Sequence, residues 1–471
     1  MSNNLWSRLL FLSSLLFCAA IAVADDGSNQ KLEQRFQLAL AQYNAGRFAD
    51  ASSQLESLLP SLPKSFEIQE LLGLSYAAQS LDAKATEHLE MAVRLKPDSA
   101  EARTNLAANL SRLGKLDLAG EQFRKALALE PKNYDANHNL GEYYIQSEKI
   151  ADAIPFLEVA QKINPSAYDN GYDLAMAYFL TGKVDQAQQV VDALLQQKNA
   201  AELHSLLGQI DEKDGKYLDS VNEFQTAARM EPSEDNLFHW GSELLLHRTY
   251  EPAIEVFQHG VELFPSSARL NIGLGMALYS RGKYDEAVKS LLAASDLNPS
   301  DPRCYYFLSK AYDSSPTQAA DVIERFRRFS QLQPDNAQAL YYYAMSLWKG
   351  KRAEDPSLDL RQIKTLLQKS ITIDPKLADA HVQLGNLYSD QRDYAAAIPQ
   401  YERALELNPN LSDAHYRLGQ DYVHTGQKDR AQQEFDVYQR LRAQHLAELD
   451  KERAEVQQFV YTAKAAPSTK P

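Results

Sequence analysis

Prolines recur along this chain at a nearly constant interval. Successive gaps are mostly 33 to 35 residues; one gap of 67 equals two periods, and one gap of 41 carries an insertion. Each proline ends a phrase of similar composition, and the series is Pro63, Pro97, Pro131, Pro165, Pro232, Pro265, Pro299, Pro334, Pro375 and Pro409. Self-similarity at this period is typical of a stacked array, in which each unit buries its apolar face against its neighbours.

Each period contains two apolar faces with helical spacing. Between residues 100 and 133, the first face comprises Leu106, Ala107 and Leu110, and the second comprises Ala119, Phe123, Ala126 and Leu129. The 3.6-residue spacing predicts two helices. Gly114-Lys115 separates the faces and indicates a tight turn, and Pro131 ends the second helix. Each period is therefore predicted to be a helical hairpin.

Small side chains occupy one position in each helix of the hairpin. In the first helix they are Ala107, Gly141, Gly208, Gly241, Gly275, Gly385 and Gly419; in the second they are Ala119, Ala153, Ala187, Ala253, Ala287, Ala397 and Ala431. We expect these residues to let the two backbones approach closely. A large residue four positions later in the second helix is expected to fill the space between hairpins, as Phe123, Phe224, Phe257, Tyr401 and Phe435.

The complete pattern resembles the tetratricopeptide repeat. The family order of residue types is matched by Leu384-Gly385, Tyr388, Ala397, Tyr401, Ala404 and Pro409. About twelve units in this register begin near Leu32, Phe66, Ala100, Tyr134, Tyr168, Ala201, Glu234, Ala268, Pro302, Ala337, Ala378 and Ser412. The resemblance covers residues 32–443 and implies an all-α fold, a right-handed superhelical solenoid of antiparallel helical hairpins. The family's early tryptophan is absent, and its slot holds Arg103, Asn137, His204, His381 and His415.

The amino-terminal segment differs from the array. Residues 1–24 combine one charge, Arg8, with an apolar run of about 16 residues that ends in Ala22-Val23-Ala24. This run is short for a membrane span of roughly 20 residues. We expect a secretory signal peptide cleaved after Ala24, and hence export to the periplasm or the outside. An uncleaved membrane anchor is the alternative, whereas Phe17 disfavours lipidation of Cys18. Residues 25–31 are expected to be a short linker.

The carboxy-terminal end is predicted to be one long charged helix from Arg430 to about Tyr461. Residues 444–461 would extend the last hairpin and cap the array, because a repeat array must cover its final apolar face. A partner helix or a coiled-coil contact is the alternative use of this segment. Residues 462–471 are expected to be a disordered tail. Two insertions, at 313–318 and 349–360, are expected to be surface loops or docking loops between the helices of their hairpins.

Composition and motifs argue against several functions. The net charge of −14 disfavours sequence-independent nucleic-acid binding, which needs a basic surface. The sequence contains no phosphate-binding loop, nucleophile elbow or zinc-protease helix. Cys304 is expected to be a small buried residue, and His204, His381 and His415 are expected to pack in the repeat. We therefore expect no enzyme, no cofactor and no metal site.

The resemblance implies a groove lined by the first helices, which in this family holds protein ligands. The first-helix positions that face this groove in the family are acidic in the early units, where they hold Glu67, Glu70, Glu101, Asp135 and Glu142. In the middle and late units the same positions are apolar or aromatic, and they hold Tyr172, Met176, Phe179, Phe238, Leu245, Ile272, Met276, Tyr279, Tyr306, Tyr341, Met345 and Trp348. Aromatic and Met side chains suit an extended peptide or a helix. The alternative is that these side chains pack against neighbouring first helices.

One binding mode of the family is disfavoured by the residues present. A clamp for a terminal carboxylate needs Asn together with basic side chains in successive units. Asn105 and Asn139 are present, but the basic positions hold Glu70, Thr104, His138, Asp169 and Asp173. We therefore expect no such clamp.

Taken together, these features predict a protein-binding scaffold or adaptor in a bacterial cell envelope. The predicted partner is a protein or peptide, with no nucleic acid and no membrane contact beyond an uncleaved anchor. The alternative is a structural subunit of a secretion, pilus or polysaccharide-export assembly.

Overall fold

The computed structural model describes residues 26–350 and 359–465, and within them the regular elements are all α-helices. They are α1 (Asp26–Asn44), α2 (Phe48–Glu56), α3 (Phe66–Ala78), α4 (Asp82–Leu95), α5 (Ala100–Arg112), α6 (Leu116–Leu129), α7 (Tyr134–Gln146), α8 (Ile150–Ile163), α9 (Tyr168–Leu180), α10 (Val184–Leu195), α11 (Ala201–Lys213), α12 (Tyr217–Met230), α13 (Glu234–Leu246), α14 (Tyr250–Leu263), α15 (Ala268–Ser280), α16 (Tyr284–Leu297), α17 (Pro302–Ser314), α18 (Ala319–Leu332), α19 (Ala337–Gly350), α20 (Leu360–Ile373), α21 (Ala378–Asp390), α22 (Tyr394–Leu407), α23 (Ser412–His424) and α24 (Lys428–Ala465).

The helices form two compact units. The amino-terminal unit ends at Asp214 and contains α1–α11, and the carboxy-terminal unit begins at Gly215 and contains α12–α24. Within each unit, each helix packs against the next one along the chain, so the hairpins stack in chain order. The predicted all-α array of helical hairpins is confirmed. The first helices begin at eleven of the twelve predicted residues, from Phe66 to Ser412.

Both ends of the array differ from the prediction. The first helix begins at Asp26, so residues 26–31, which were expected to be a linker, are helical and continue into the first predicted unit near Leu32. The last helix runs unbroken from Lys428 to Ala465, so the predicted extension 444–461 lies inside it and the tail begins no earlier than 466. Helix-forming residues without an apolar face carry no periodic signal, which is why both ends were underestimated. The predicted signal peptide, residues 351–358 and the final six residues lie outside the described residues.

Each hairpin turn that the structure describes contains one residue in the left-handed backbone region. Glycine occupies it in six turns, for example Gly114 with φ of 70° and Gly426 with φ of 79°. Four other turns place Ser80, Glu148, Arg248 and Arg392 at φ near 60°. Glycine adopts this conformation without steric cost, whereas other L-residues are strained in it.

The small residues of the first helices have the predicted role. A Cβ on Gly141 would lie 2.4 Å from Leu157, and one on Gly385 would lie 2.8 Å from Tyr401. In each case the partner is a large residue of the following second helix. That residue is fully buried, so it has no free space to move into. The close approach of the two backbones therefore depends on the absence of a side chain.

Hydrogen-bonding side chains occupy the repeat position at which the family has a tryptophan. The Nε2 atoms of His381 and His415 lie 3.3 and 3.0 Å from the carbonyls of Pro375 and Pro409. Arg103 donates to the equivalent carbonyl of Pro97. Each of these prolines lies six residues earlier and ends the preceding second helix. Polar side chains here fasten a first helix to the turn before it, which an aromatic ring would do by packing alone.

The first predicted insertion lies between α17 and α18, and Gln318 there adopts a φ of 52°. The loop is held against the preceding hairpin, because Ser315 Oγ donates to Asp285 Oδ1 at 2.5 Å. The second insertion continues α19 to Gly350, and Asp359 caps α20. Within the part of the chain that the structure describes, no helix is both long and apolar enough to cross a bilayer.

Candidate functional site

The predicted aromatic side chains of the amino-terminal unit lie together on α9. Tyr172, Met176 and Phe179 are half-buried and pack against a core cluster formed by α8, α9, α10 and α11. Lys213 covers the Phe179 ring, with its Nζ 4.9 Å from the ring centroid. Burial raises the pKa of the Tyr172 phenol. One edge of each side chain remains accessible, so this cluster can add to a binding surface without forming an open groove by itself.

The remaining nine candidates lie on four first helices of the carboxy-terminal unit. The half-buried ones are Phe238, Leu245, Met276, Tyr279, Tyr341 and Trp348, and all six pack against its core. Ile272 and Met345 are buried, with 6 and 9% of their surface exposed. Tyr306 is the most exposed of the nine, at 46%. The row therefore combines core packing with partial exposure.

Cationic side chains cover part of this row. The Arg269 guanidinium lies 4.6 Å from the Phe238 centroid, and Lys310 Nζ lies 5.7 Å from the Tyr306 centroid. Arg269 also forms ion pairs with Glu234 and Asp235. A cation over an aromatic face is stabilised by the ring quadrupole. The Arg269 charge is thus offset by two carboxylates, whereas Lys310 places a positive charge beside Tyr306.

The carboxylates of the amino-terminal unit form a continuous acidic row along successive first helices. Burial and the neighbouring Glu101 carboxylate raise the pKa of Glu70 to about 8. Burial and Asp135 in turn raise the pKa of Glu101. Each carboxylate thus lies within electrostatic range of the one on the next repeat. Among the described residues, neither Glu70 nor Glu101 forms an ion pair with Lys or Arg, and the nearby Lys96 lowers both pKa values without cancelling the effect of burial.

The row continues onto α7 and α9. Burial raises the pKa of Glu142 to about 7, with Asp169 adding to the effect. Burial also raises the pKa of Asp173 to about 7, where Glu142 and Asp169 raise it and His138 opposes them. In the sequence, Asp169 and Asp173 served only to disfavour a carboxylate clamp. The structure shows that they extend the acidic row beyond Glu142.

The two clamp asparagines are engaged inside the protein. Asn105 Nδ2 donates to Glu70 Oε1 at 3.3 Å, and Asn139 Nδ2 donates to the Asp135 carbonyl at 2.7 Å. The Asn105 side chain is buried. Both amides therefore support the first helices rather than present donors to a ligand.

The candidate nucleophile is inert in this structure. Cys304 is fully buried, and its Sγ donates to the Asp301 carbonyl at 3.1 Å. Burial, with a contribution from Asp301, raises the pKa of the thiol to about 12. A thiol with this pKa is not ionised near neutral pH and is a poor nucleophile. The interpretation of Cys304 as a small core residue is consistent with these contacts.

Family models described as tetratricopeptide repeat match residues 36–100, 110–166, 144–210, 378–411 and 400–433. A further model, described as TPR repeat, matches residues 275–313. Together these ranges cover more than half of the chain, and they coincide with the hairpins described above. The chain belongs to the tetratricopeptide repeat family. Tetratricopeptide repeat proteins are protein-interaction scaffolds, and the fold is generally non-enzymatic.

Relatives within the curated proteins are partial. Protein O-mannosyl-transferase TMTC1 of Mus musculus is 28% identical over 147 residues, which are 31% of this chain and 15% of that protein. TPR repeat-containing protein YpiA of Bacillus subtilis is 25% identical over 263 residues, which are 54% of this chain and 57% of that protein. This chain thus spans a small part of the first relative and somewhat more than half of the second.

A solved tetratricopeptide repeat protein from Parabacteroides merdae is similar in fold. It is 17% identical, with a TM-score of 0.42, over 52% of this chain and 98% of that chain. The similarity concerns the repeat fold alone.

Proposed function

We propose that this tetratricopeptide repeat protein is a binding scaffold that holds a basic protein segment on the first helices of its amino-terminal unit. The observation that carries the proposal is the acidic row from Glu67 to Asp173. Its carboxylates are spread over four successive first helices, as an extended ligand would require. The aromatic cluster on α9 lies at the end of this row and offers apolar contact area.

The charge of the partner follows from the state of the carboxylates. Glu70 is buried beside the Glu101 carboxylate, and both conditions disfavour its charged form, so its pKa is raised even with Lys96 nearby. A Lys or Arg side chain of a ligand that contacts the more accessible Glu101 and Asp135 would add positive charge to the row and lower the pKa of its carboxylates. Binding would therefore relieve mutual repulsion that the free protein contains. A basic segment gains more from this surface than a neutral one of equal size.

We propose that the carboxy-terminal unit contributes a second contact surface through Tyr279, Tyr306 and Trp348. These are accessible aromatic side chains of the predicted row. Lys310 beside Tyr306 would favour a segment that carries apolar and acidic residues. An apolar helix with acidic flanks fits both features.

We further propose that the protein is not an enzyme and that it is exported. The non-enzymatic proposal is supported by the buried Cys304 thiol and by the use of His381 and His415 as structural hydrogen-bonding groups. The export proposal rests on the sequence of residues 1–24. The envelope adaptor remains the favoured role, and the alternative is a permanent subunit of an envelope secretion, pilus or polysaccharide-export assembly.

The test is an affinity capture from envelope extract with three forms of residues 25–471. The first is the wild type, and the second is the acidic-row variant Glu70→Gln/Glu101→Gln/Asp135→Asn. The third is the control Glu90→Gln/Glu121→Gln/Asp152→Asn, which removes the same number of exposed carboxylates from second helices of the same unit. The proposal expects a partner that the wild type and the control retain and the acidic-row variant loses. Equal retention by all three would refute recognition through the row.

The same extract distinguishes the adaptor from the structural subunit. An adaptor should release its partner in about 0.5 M salt, because exposed charge contacts are screened at that ionic strength. A permanent subunit should co-purify in a fixed ratio that salt does not change.

A further inference from the structure

Three potential metal ligands converge in the amino-terminal unit. His138 and Glu142 lie one helical turn apart on α7, and Asp173 reaches them from α9. One ligand atom of each residue lies within 4.8 Å of the others. His138 Nε2 and Glu142 Oε1 are 3.9 Å apart. All three side chains are half-buried, and they lie in the acidic row.

The hydrogen bonding of Asn170 fixes the His138 tautomer. Asn170 is fully buried, and its Nδ2 donates to the Leu157 carbonyl at 3.0 Å and to Gln161 Oε1 at 2.7 Å. Its Oδ1 is therefore the atom 3.2 Å from His138 Nδ1, and Nδ1 must carry a proton and donate to it. In the neutral ring, Nε2 is then an unprotonated nitrogen beside two carboxylates. Within the trio, no N–H or O–H group donates a hydrogen bond to that lone pair.

The two carboxylates also lack a Lys or Arg partner. In the region the structure describes, Glu142 and Asp173 form no ion pair with Lys or Arg, and the nearby Asp169 adds a further negative charge. Three acceptor atoms therefore lie close to one another, with no Lys or Arg among the described residues paired to the two carboxylates. This is the arrangement in which a metal ion is stabilising.

We propose that His138, Glu142 and Asp173 bind one divalent transition-metal ion, with zinc as the reference case. Zinc takes nitrogen and carboxylate oxygen ligands at about 2.0–2.2 Å. Ligands at that radius lie roughly 3.4 Å apart in a tetrahedral site, so the present atoms need to close by about 1 Å. Rotation of the flexible Glu142 side chain supplies that movement. Three protein ligands leave a fourth position for water.

The surroundings match those of a metal-binding histidine. Such a histidine donates its other ring N–H to a protein oxygen, which fixes its orientation. Asn170 Oδ1 provides this acceptor, and Asn170 is itself held by α8. The imidazole ligand favours zinc, cobalt or nickel over magnesium and calcium, which prefer oxygen ligands. The sequence signal was His138 and Glu142 at i and i+4, but the third ligand is 31 residues further on and only the stacking of α9 on α7 reveals it.

The test is a metal titration of the untagged full chain after removal of bound metal with a chelator. Zinc is titrated in competition with a chromophoric chelator, and cobalt is followed by its visible absorption. The wild type is compared with His138→Gln and Asp173→Asn. Glu101→Gln is the control, because it removes a carboxylate of the same row that lies outside the trio. Thermal melts of all four forms verify that they are folded.

The proposal expects the wild type and Glu101→Gln to bind one zinc ion more per chain than His138→Gln and Asp173→Asn. A hundredfold excess of magnesium should not displace that ion. Equal zinc binding by all four forms would overturn the proposal. So would equal weakening in Glu101→Gln, because the row would then attract cations only by its general field. No peptide is present in the titration, so its result is independent of the proposed scaffold function.

Discussion

At the scale of single residues, two demands of the hairpin decide which side chains are tolerated. The first is the close approach of the helices, where Gly385 faces Tyr401 and Gly275 faces Leu291. The second is the left-handed turn, which glycine fills in six hairpins and other residues fill in several more. Sequence alone predicted the first demand, because the small residues recur at one position. It did not predict that Glu148 and Arg392 adopt positive φ, since their polar character suits any exposed turn.

Adding a methyl group at Gly385 should destabilise the carboxy-terminal unit. The new Cβ would lie 2.8 Å from the Tyr401 ring, which is fully buried and whose hydroxyl donates to Asn386 Oδ1 at 2.7 Å. We expect Gly385→Ala to lower the free energy of unfolding by about 1–3 kcal/mol, measured by urea denaturation. Combined with Tyr401→Leu, the cost of Gly385→Ala should shrink. An unchanged cost in the double variant would show that the ring is not the obstacle.

Exchanging residue types at two equivalent turns should have opposite effects on stability. The exposed Arg392 has a φ of 60°, and a Cβ on Gly426 would meet no atom within 4 Å. Arg392→Gly should therefore raise the free energy of unfolding and Gly426→Ala should lower it, each by about 1 kcal/mol, because only backbone strain changes. Thermal melts of the two variants check the pair. A shift of the same sign in both would contradict the assignment of strain.

At the scale of helices, periodic apolar residues located the interior of the array and missed its ends. Eleven first helices begin where the sequence places them, because a proline ends the preceding helix and Ser or Asn often caps the next. Ser99 and Asn133, for example, accept from the amides of Ala102 and Ala136. No proline precedes Asp26, and none lies between Lys428 and Ala465. The hydrogen bonds that join one repeat to the next could not be predicted from the sequence either, because they depend on the distance between stacked helices.

Removing one such hydrogen-bonded contact between repeats should measurably lower stability. Asn109 on α5 is fully buried, and its Nδ2 donates to the Asp82 carbonyl at 3.0 Å and to Thr86 Oγ1 at 2.8 Å on α4. Asn109→Ala should lower the free energy of unfolding by about 2 kcal/mol, because buried acceptors lose their donor. Asn139→Ala is the control, since Asn139 donates only to a carbonyl of its own helix. Equal losses in the two variants would mean that the hydrogen bonds between the repeats add nothing to stability.

At the scale of the molecule, the acidic row links stability to pH. The pKa of Glu70 is about 8 in the folded protein and near its ordinary value of 4.5 in the unfolded chain, so the folded state binds the proton more tightly. The stability contributed by that proton is fully present below about pH 4.5 and is lost as pH rises through about 8. The twelve predicted apolar candidates and the early acidic residues were visible in the sequence. The link between carboxylates 34 residues apart required the fold.

Glu70→Gln should therefore flatten the pH dependence of stability. The wild type should lose stability between about pH 5 and pH 8. The variant should lose less, because its side chain at position 70 does not ionise. At pH 8 the variant should be more stable by roughly 2 kcal/mol, because a buried charge beside Glu101 is removed. Chemical denaturation at pH 5, 6.5 and 8 measures the effect. Parallel profiles for the two proteins would show that Glu70 ionises freely.

The most direct test of the scaffold account is the affinity of the full chain for two peptides that differ only in carrying Lys or Glu at the same positions. Fluorescence anisotropy compares the wild type, the acidic-row variant and the second-helix control, and the two variants have equal net charge. We expect the Lys peptide to bind the wild type and the control at least tenfold more tightly than the acidic-row variant. We also expect the Glu peptide to discriminate none of the three. Equal weakening of the Lys peptide in both variants would contradict recognition by the first helices and leave only a general effect of net charge.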